Sequence, residues 1–247
     1  MAQQTDISVV LAVETSGRTG SVAAGIGDQI LAEAAFSGPL THSAELFPTA
    51  QAVLARINVE IGDIDHIYIA AGPGSFTGLR IAVTMAKMMA FANDTKIISA
   101  NTMDVLALNA TEYAKDKNAK INRLATVLDA KRKQFYIAVF ENTNGQWLKV
   151  TADCLITASD FTRRFAHATA PIWLLGEGLV YYSDAFAADG VRFLDRDYWP
   201  ARARGVYSVG RKKAKANDFA DPATLAPFYL RRPEATENWE NLHNPKK

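Results

Sequence analysis

Lys115-Asp116-Lys117-Asn118-Ala119-Lys120 separates two stretches whose apolar residues recur in the same order. The run can neither bury apolar area nor sustain an amphipathic period. It therefore predicts a connection, with one lobe over residues 1–115 and a smaller one over 120–205. Upstream, Ile7 to Val13, Ser21 to Ile26 and Gln29 to Phe36 read as strands, the last two joined by the hairpin signal Gly27-Asp28. Helix His42 to Ile57, strand His66 to Ala71, helix Thr77 to Ala92, strand Lys96 to Ser99 and helix Thr102 to Ala114 follow. Downstream, Leu124 to Asp129, Gln134 to Glu141 and Trp147 to Val150 read as strands, Ser159 to His167 as a helix, Pro171 to Leu175 as a strand and Leu179 to Ala187 as a helix. A late helix, Val206 to Asn217, is expected to cross back to the first lobe, and residues 234–247 to form a tail.

The order βββαβα thus occurs twice without sequence identity. Repetition of topology in this form is the signature of the actin/sugar-kinase-like (ASKHA) α/β fold, in which nucleotide sits between two such lobes. The bulk properties fit an ordinary globular protein: 247 residues, about half of them apolar, and a net charge of +1. A charge that small means any nucleic-acid contact must come from a local patch. The residues from Met1 to Glu14 have no basic region before their apolar stretch, and no window approaches the ~18 apolar residues that span a bilayer. The single cysteine, Cys154, has no disulfide partner in the chain. The expectation is a cytoplasmic protein without membrane contact.

Nucleotide chemistry in this fold needs hairpins that bring backbone N–H groups against phosphate while a carboxylate holds hydrated magnesium. The first hairpin reads Val13-Glu14-Thr15-Ser16-Gly17-Arg18-Thr19-Gly20-Ser21, with a long carboxylate and bulky residues where a glycine would allow close approach. The second reads Asp129-Ala130-Lys131-Arg132-Lys133-Gln134, which keeps the acid and replaces glycines with three long cations. Gly176-Glu177-Gly178 is a candidate remnant of an adenosine-side turn. Glu14, Thr15, Ser16, Asp129, Gly176 and Gly178 are therefore the candidate vestigial nucleotide site, in a cleft not expected to turn nucleotide over. No cofactor is expected, save adenine nucleotide bound weakly or at a subunit junction.

A metal centre fares no better. A His-x-x-x-His pair would put two imidazoles on one face of the helix that begins at His42, but position 46 is Leu46. His66, His167 and His243 lack ligand spacing. Gly74-Ser75-Phe76-Thr77-Gly78 lacks the spacing of a nucleophile elbow, and no base can be nominated for Ser75. Neither catalytic residues nor metal ligands are expected.

The sharpest motif is Gly72-Pro73-Gly74-Ser75-Phe76-Thr77-Gly78-Leu79-Arg80, between a strand and a helix. It arrives in fixed order with Val13-Glu14-Thr15-Ser16, Thr41-His42-Ser43-Ala44-Glu45-Leu46-Phe47-Pro48, Asp129-Ala130 with Gln134-Phe135-Tyr136, and Pro227-Phe228-Tyr229-Leu230-Arg231. Together these resemble the TsaB (YeaZ) family over about residues 7 to 235, densely to about residue 109. The resemblance implies a non-catalytic accessory subunit for threonylcarbamoyladenosine synthesis on tRNA. Such a subunit pairs with its enzymatic paralogue TsaD and joins the ATPase TsaE. A homodimer is the alternative state when TsaD is absent, and tRNA is met only through the complex. The competing reading is an enzyme in its own right, either a nucleotide hydrolase using Glu14 and Asp129 or a divergent glycopeptidase.

A partner surface can also be sought on the helix wheel. From Gly78 to Ala92 eleven apolar residues, from Met88 round to Val83, fill an arc of roughly 220°, wider than the ~100° needed to face one core, with Arg80, Thr84 and Lys87 on the remaining side. Gly78, Ala82, Ala86 and Ala90 recur every four residues, and Met85, Met88 and Met89 offer adaptable contact. Leu46, Ala50, Val53, Gly78, Ala82, Met85, Ala86 and Met89 are thus the expected partner contacts. Arg202, Arg204, Arg211, Lys212, Lys213 and Lys215 form a late basic stretch, read as a solvated helix face in preference to an RNA contact.

Overall fold

The computed structural model describes residues 7–39, 41–167 and 169–231. The tail expected over 234–247, and His243 within it, lie outside the described residues. Strands β1 (Val9–Glu14), β2 (Ser21–Ile26) and β3 (Gln29–Ala35) form an antiparallel meander. Helix α1 (His42–Ala55) leads to β4 (His66–Gly72), α2 (Phe76–Asn93), β5 (Lys96–Asn101) and α3 (Thr102–Asp116). Because β4 runs parallel to β1 and β5 parallel to β4, the first sheet has the order β3-β2-β1-β4-β5.

Strands β6 (Arg123–Asp129), β7 (Gln134–Thr143) and β8 (Gln146–Thr157) repeat the meander, followed by α4 (Ala158–Phe165), β9 (Ile172–Leu175) and β10 (Val191–Phe193). Here β9 runs parallel to β6, giving the order β10-β9-β6-β7-β8. In each sheet the first strand of the meander is flanked by its antiparallel neighbour and by the parallel strand that follows the helix. This duplication is the actin/sugar-kinase-like α/β fold.

Period-two alternation decides how the first sheet is covered. In β4, His-Ile-Tyr-Ile-Ala-Ala-Gly is buried throughout, as expected of a strand with helices on both faces. Ile67 and Ile69 join Leu11, Val13 and Val22 beneath α1 and α2, while Tyr68 and Ala70 face the opposite side, with α3 and the last helix, α5 (Ala203–Lys215). That second core continues without a break into the second sheet through Leu124, Val127, Phe135 and Ile137. Helix α5 packs on the first sheet. Its Tyr207 hydroxyl donates to the Gly27 carbonyl at 2.9 Å, and Arg211 and Lys215 pair with Asp28 on the β2–β3 turn.

Several sequence expectations need correction. Helix α3 continues through Asp116, so only part of the polar run is a connection; Lys117 pairs with Asp195, and Tyr198 donates to Asp116. The third strand of the second meander extends to Thr157, well beyond Val150. The helix expected from Leu179 to Ala187 is instead two 3₁₀ turns, Glu177–Leu179 and Ser183–Phe186. Tyr182, at φ −131°, lies outside the helical region and separates them, while Leu179 and Phe186 anchor the two turns in the core. The same segment ends in the short strand β10, which periodicity did not suggest.

Candidate functional site

The Gly72–Arg80 loop is a clamp on the first hairpin. Ser75 caps α2 by accepting the Gly78 N–H at 3.3 Å, and its own N–H donates to the Ser16 carbonyl at 2.7 Å. The Thr15 hydroxyl donates to the Gly78 carbonyl at 2.7 Å. A Cβ on Gly78 would lie 1.8 Å from the Thr15 carbonyl oxygen, so only glycine lets the helix start this close to the hairpin. Gly72, at φ +125°, leaves room for the Phe228 carbonyl, and the Phe228 N–H donates to Ala71 at 2.7 Å. The chain around Phe228 then crosses the cleft as a strap. Tyr229 stacks near Phe76 with ring centres 5.3 Å apart and accepts from Arg80, and Arg231 donates to the Ala130 carbonyl at 3.1 Å.

The first hairpin's backbone donors face carboxylates of the protein itself. Glu14 is fully buried, and both the N–H and the hydroxyl of Ser16 donate to its Oε1. Its Oε2 has no hydrogen-bond partner among the described residues. Desolvation pushes the Glu14 carboxyl up to about 7, against the Ser16 hydrogen bonds, with Glu177 adding repulsion. Glu177 arrives from the second half of the chain and accepts the Arg18 N–H at 2.6 Å; burial raises its carboxyl too, opposed by that hydrogen bond. Where phosphate would sit against such a hairpin, two carboxylates already do.

The second hairpin is no better suited to phosphate. Asp129 accepts the Lys131 N–H at 2.7 Å and its ammonium at 3.1 Å, and Lys131, Arg132 and Lys133 all have positive φ. Gly176 and Gly178 pack against the backbone of β6 at Val127 and Leu128. Together the hairpins, the strap and the Gly176–Gly178 turn enclose a cleft of about 600 Å³ lined by Phe76, Tyr136, Tyr181, Tyr182 and Tyr229, with Arg18, Lys131, Arg132 and Arg231 supplying cations.

His42 is buried, its Nε2 within 3.0 Å of the Gly17 carbonyl and its ring 5.7 Å from Phe36, so it packs the hairpin. Leu46 is fully buried beside it. Among the described residues, no group of three or more His, Cys, Asp or Glu side chains is placed to hold a metal ion.

The expected partner residues need a different correction. Leu46, Ala50, Val53, Gly78, Ala82, Met85, Ala86 and Met89 are all buried in the chain's own fold, where α1 and α2 cover the first sheet. The small-residue stripe serves close packing within the chain. The large apolar side chains that remain exposed on these helices are Phe47, at 48%, Met88, at 61%, and Phe91, at 94%, with Phe76 at the start of α2 turned to the cleft. Phe91 falls on the polar side of the wheel between Arg80 and Thr84, and an aromatic ring on a polar helix face is the signal in the sequence that marks this surface. Glu177 and Tyr181 were missed for another reason, since they reach the cleft only through the packing of one sheet against the other.

The late basic helix is largely consumed by structure. Arg204 pairs with Glu33, Arg211 and Lys215 with Asp28, and Lys213 with Asp218 and the Ser99 carbonyl.

A family model described as TsaD, tRNA N6-adenosine threonylcarbamoyltransferase, matches residues 36–175. The chain is 27% identical over 234 residues to the tRNA threonylcarbamoyladenosine biosynthesis protein TsaB of Bacillus subtilis, covering 93% of this chain and 97% of that one. Against the TsaB protein of Escherichia coli it is 24% identical over 210 residues, 83% and 85% of the two chains. The solved structure of YeaZ from Pseudomonas aeruginosa superposes with a TM-score of 0.75 at 23% identity, covering 90% of this chain and all of that one. No helix among the described residues is long and apolar enough to cross a membrane. With more than half of its length matched by the family model, and with TsaB proteins aligned along nearly all of it, the chain belongs to the TsaD family, in its TsaB (YeaZ) branch.

Proposed function

We propose that this chain is a non-catalytic subunit that pairs with TsaD through the outer faces of α1 and α2 and thereby supports threonylcarbamoyl transfer to tRNA adenosine, with TsaE joining the working complex. The observation that carries this reading is Phe91, almost wholly exposed on a helix already packed by its other side, next to exposed Met88 and with Phe47 on the neighbouring helix. Apolar groups presented together on two adjacent helices suit a partner helix pair. The filled hairpin supports the absence of chemistry. With Glu14 and Glu177 against its N–H groups, bound phosphate would have to displace two carboxylates. Adenine nucleotide enters this reading only at a junction between subunits, and tRNA only in the assembled complex. In the cytoplasm, a homodimer through the same faces is the state expected without TsaD.

The test is co-elution of the purified chain with TsaD, comparing wild type with Met88→Asp and Phe91→Asp. Loss of co-elution with an unchanged melting temperature supports the reading. Undiminished co-elution of both variants rejects this surface, and ATP or peptide turnover by the purified chain alone rejects the non-catalytic role.

A further inference from the structure

Lys131, Arg132 and Lys133 form three consecutive positive-φ positions, at 65°, 54° and 58°, on the turn at the mouth of the cleft. A non-glycine residue held there is strained, and glycine would remove the strain. Three long exposed cations stand in its place. Strained backbone clusters at ligand-binding segments, and here it comes with three positive charges.

The same cleft is lined with aromatic rings. Tyr181 is 69% exposed with the Arg18 guanidinium 5.3 Å from its ring centre, and Phe76 and Tyr229 line the same cleft. Aromatic rings interleaved with cations suit an unstacked base and its flanking phosphates, since every base has a π-face and cations attract the backbone. The hairpin N–H groups are taken by carboxylates, so phosphate would be met by side chains at the rim.

We propose that the Lys131–Lys133 turn and Tyr181 form a binding site for a single-stranded RNA segment, giving this chain a direct tRNA contact of its own. The proposal rests on the function proposed above, which supplies the RNA, and it revises that reading in one respect: the chain touches RNA itself and does not meet it only through the assembled complex.

The probe is a fluorescein-labelled single-stranded RNA of about ten nucleotides, titrated by anisotropy into the full-length chain and into its complex with TsaD, over a range of salt. Replacing Lys131, Arg132 and Lys133 together by glycine relieves the strain while deleting the charge. This variant should therefore melt no lower than wild type, bind the probe about tenfold or more weakly, and show a log-log salt slope smaller by roughly 2. Tyr181→Ala should weaken binding with the slope unchanged, whereas Lys212→Glu, an exposed cation on α5, should change neither. Unaltered affinity in the glycine variant, equal affinity for duplex RNA, or tighter binding of an acidic tyrosine-containing peptide overturns the site, the last result assigning it to a protein partner. TsaD co-elution is followed in the same samples. RNA failure with co-elution intact removes only this contact, whereas loss of co-elution by the wild type removes the reading beneath it.

Discussion

The Thr15 hydroxyl and the Gly78 carbonyl are joined at 2.7 Å, and Gly78 in turn leaves no space for a side chain against the Thr15 carbonyl. This contact locks the first hairpin to the start of α2, so the motif loop and the hairpin are one rigid unit. Gly78→Ala puts a methyl group against backbone that cannot yield, and the expected cost is about 1–3 kcal/mol or more. Thr15→Val removes a buried hydrogen bond while keeping the side chain's shape, and should cost about 1 kcal/mol. Urea unfolding of both variants checks the order; Gly78→Ala as stable as wild type would show that the unit is not rigid.

On α2, exposed and buried apolar groups should separate partner effects from folding effects. Phe91→Asp and Met88→Asp change exposed side chains, so their melting temperatures should stay near wild type while association with TsaD weakens by about 2 kcal/mol or more. Ala86→Arg should behave in the opposite way. Ala86 is fully buried, and an arginine there has no route to water, so the variant should fail to fold stably. Circular dichroism melts beside a pull-down distinguish the two patterns. Equal destabilisation by all three would place Phe91 and Met88 in the chain's own core.

Glu14 should give the fold a pH dependence that can be removed. Its carboxyl rises from 4.5 to about 7 on burial, so the folded chain holds the proton more tightly than the unfolded chain. The stability associated with the protonated form is complete below pH 4.5 and is lost as the pH rises through 7. The difference of about 2.5 pH units amounts to about 3 kcal/mol. Between pH 5 and 8 the wild type should lose stability through this group, and Glu14→Gln should flatten that part of the curve. A variant profile parallel to that of the wild type would assign the pH dependence elsewhere.

The fold was legible because its strands carry either period two or unbroken apolar runs and its helices period 3.6: β8 alternates exposed and half-buried residues from Gln146 to Ala152, and β4 is buried at every position from His66 to Gly72. The partner surface was not, because Gly78, Ala82 and Ala86 on one stripe are equally what a helix needs to lie on its own sheet. Periodicity cannot say which molecule supplies the opposing surface. The cleft was legible by half. Glu14 and Asp129 are marked by their hairpins, but Glu177 acquires meaning only by meeting Arg18 across a separation of 159 residues. Tyr181 was hidden because the expected helix breaks at Tyr182, turning its ring into the cleft.

Nucleotide binding supplies the sharpest contrast between a filled and an empty hairpin. In the wild type the Ser16 and Arg18 N–H groups are held by Glu14 and Glu177, and an incoming phosphate meets negative charge as soon as either is ionised. Neutralising both, as Glu14→Gln with Glu177→Gln, leaves the hairpin amides weaker acceptors to displace and removes the repulsion. Affinity of the isolated chain for ADP should therefore rise in the double variant by about tenfold, equivalent to about 1.4 kcal/mol. Lowering the pH from 8 to 6 should strengthen ADP binding to the wild type in the same sense, because Glu14 takes up its proton over that range. Isothermal titration at the two pH values measures both effects. ADP bound by the wild type as tightly as by the double variant, with no pH dependence, would mean that the two carboxylates do not guard the hairpin.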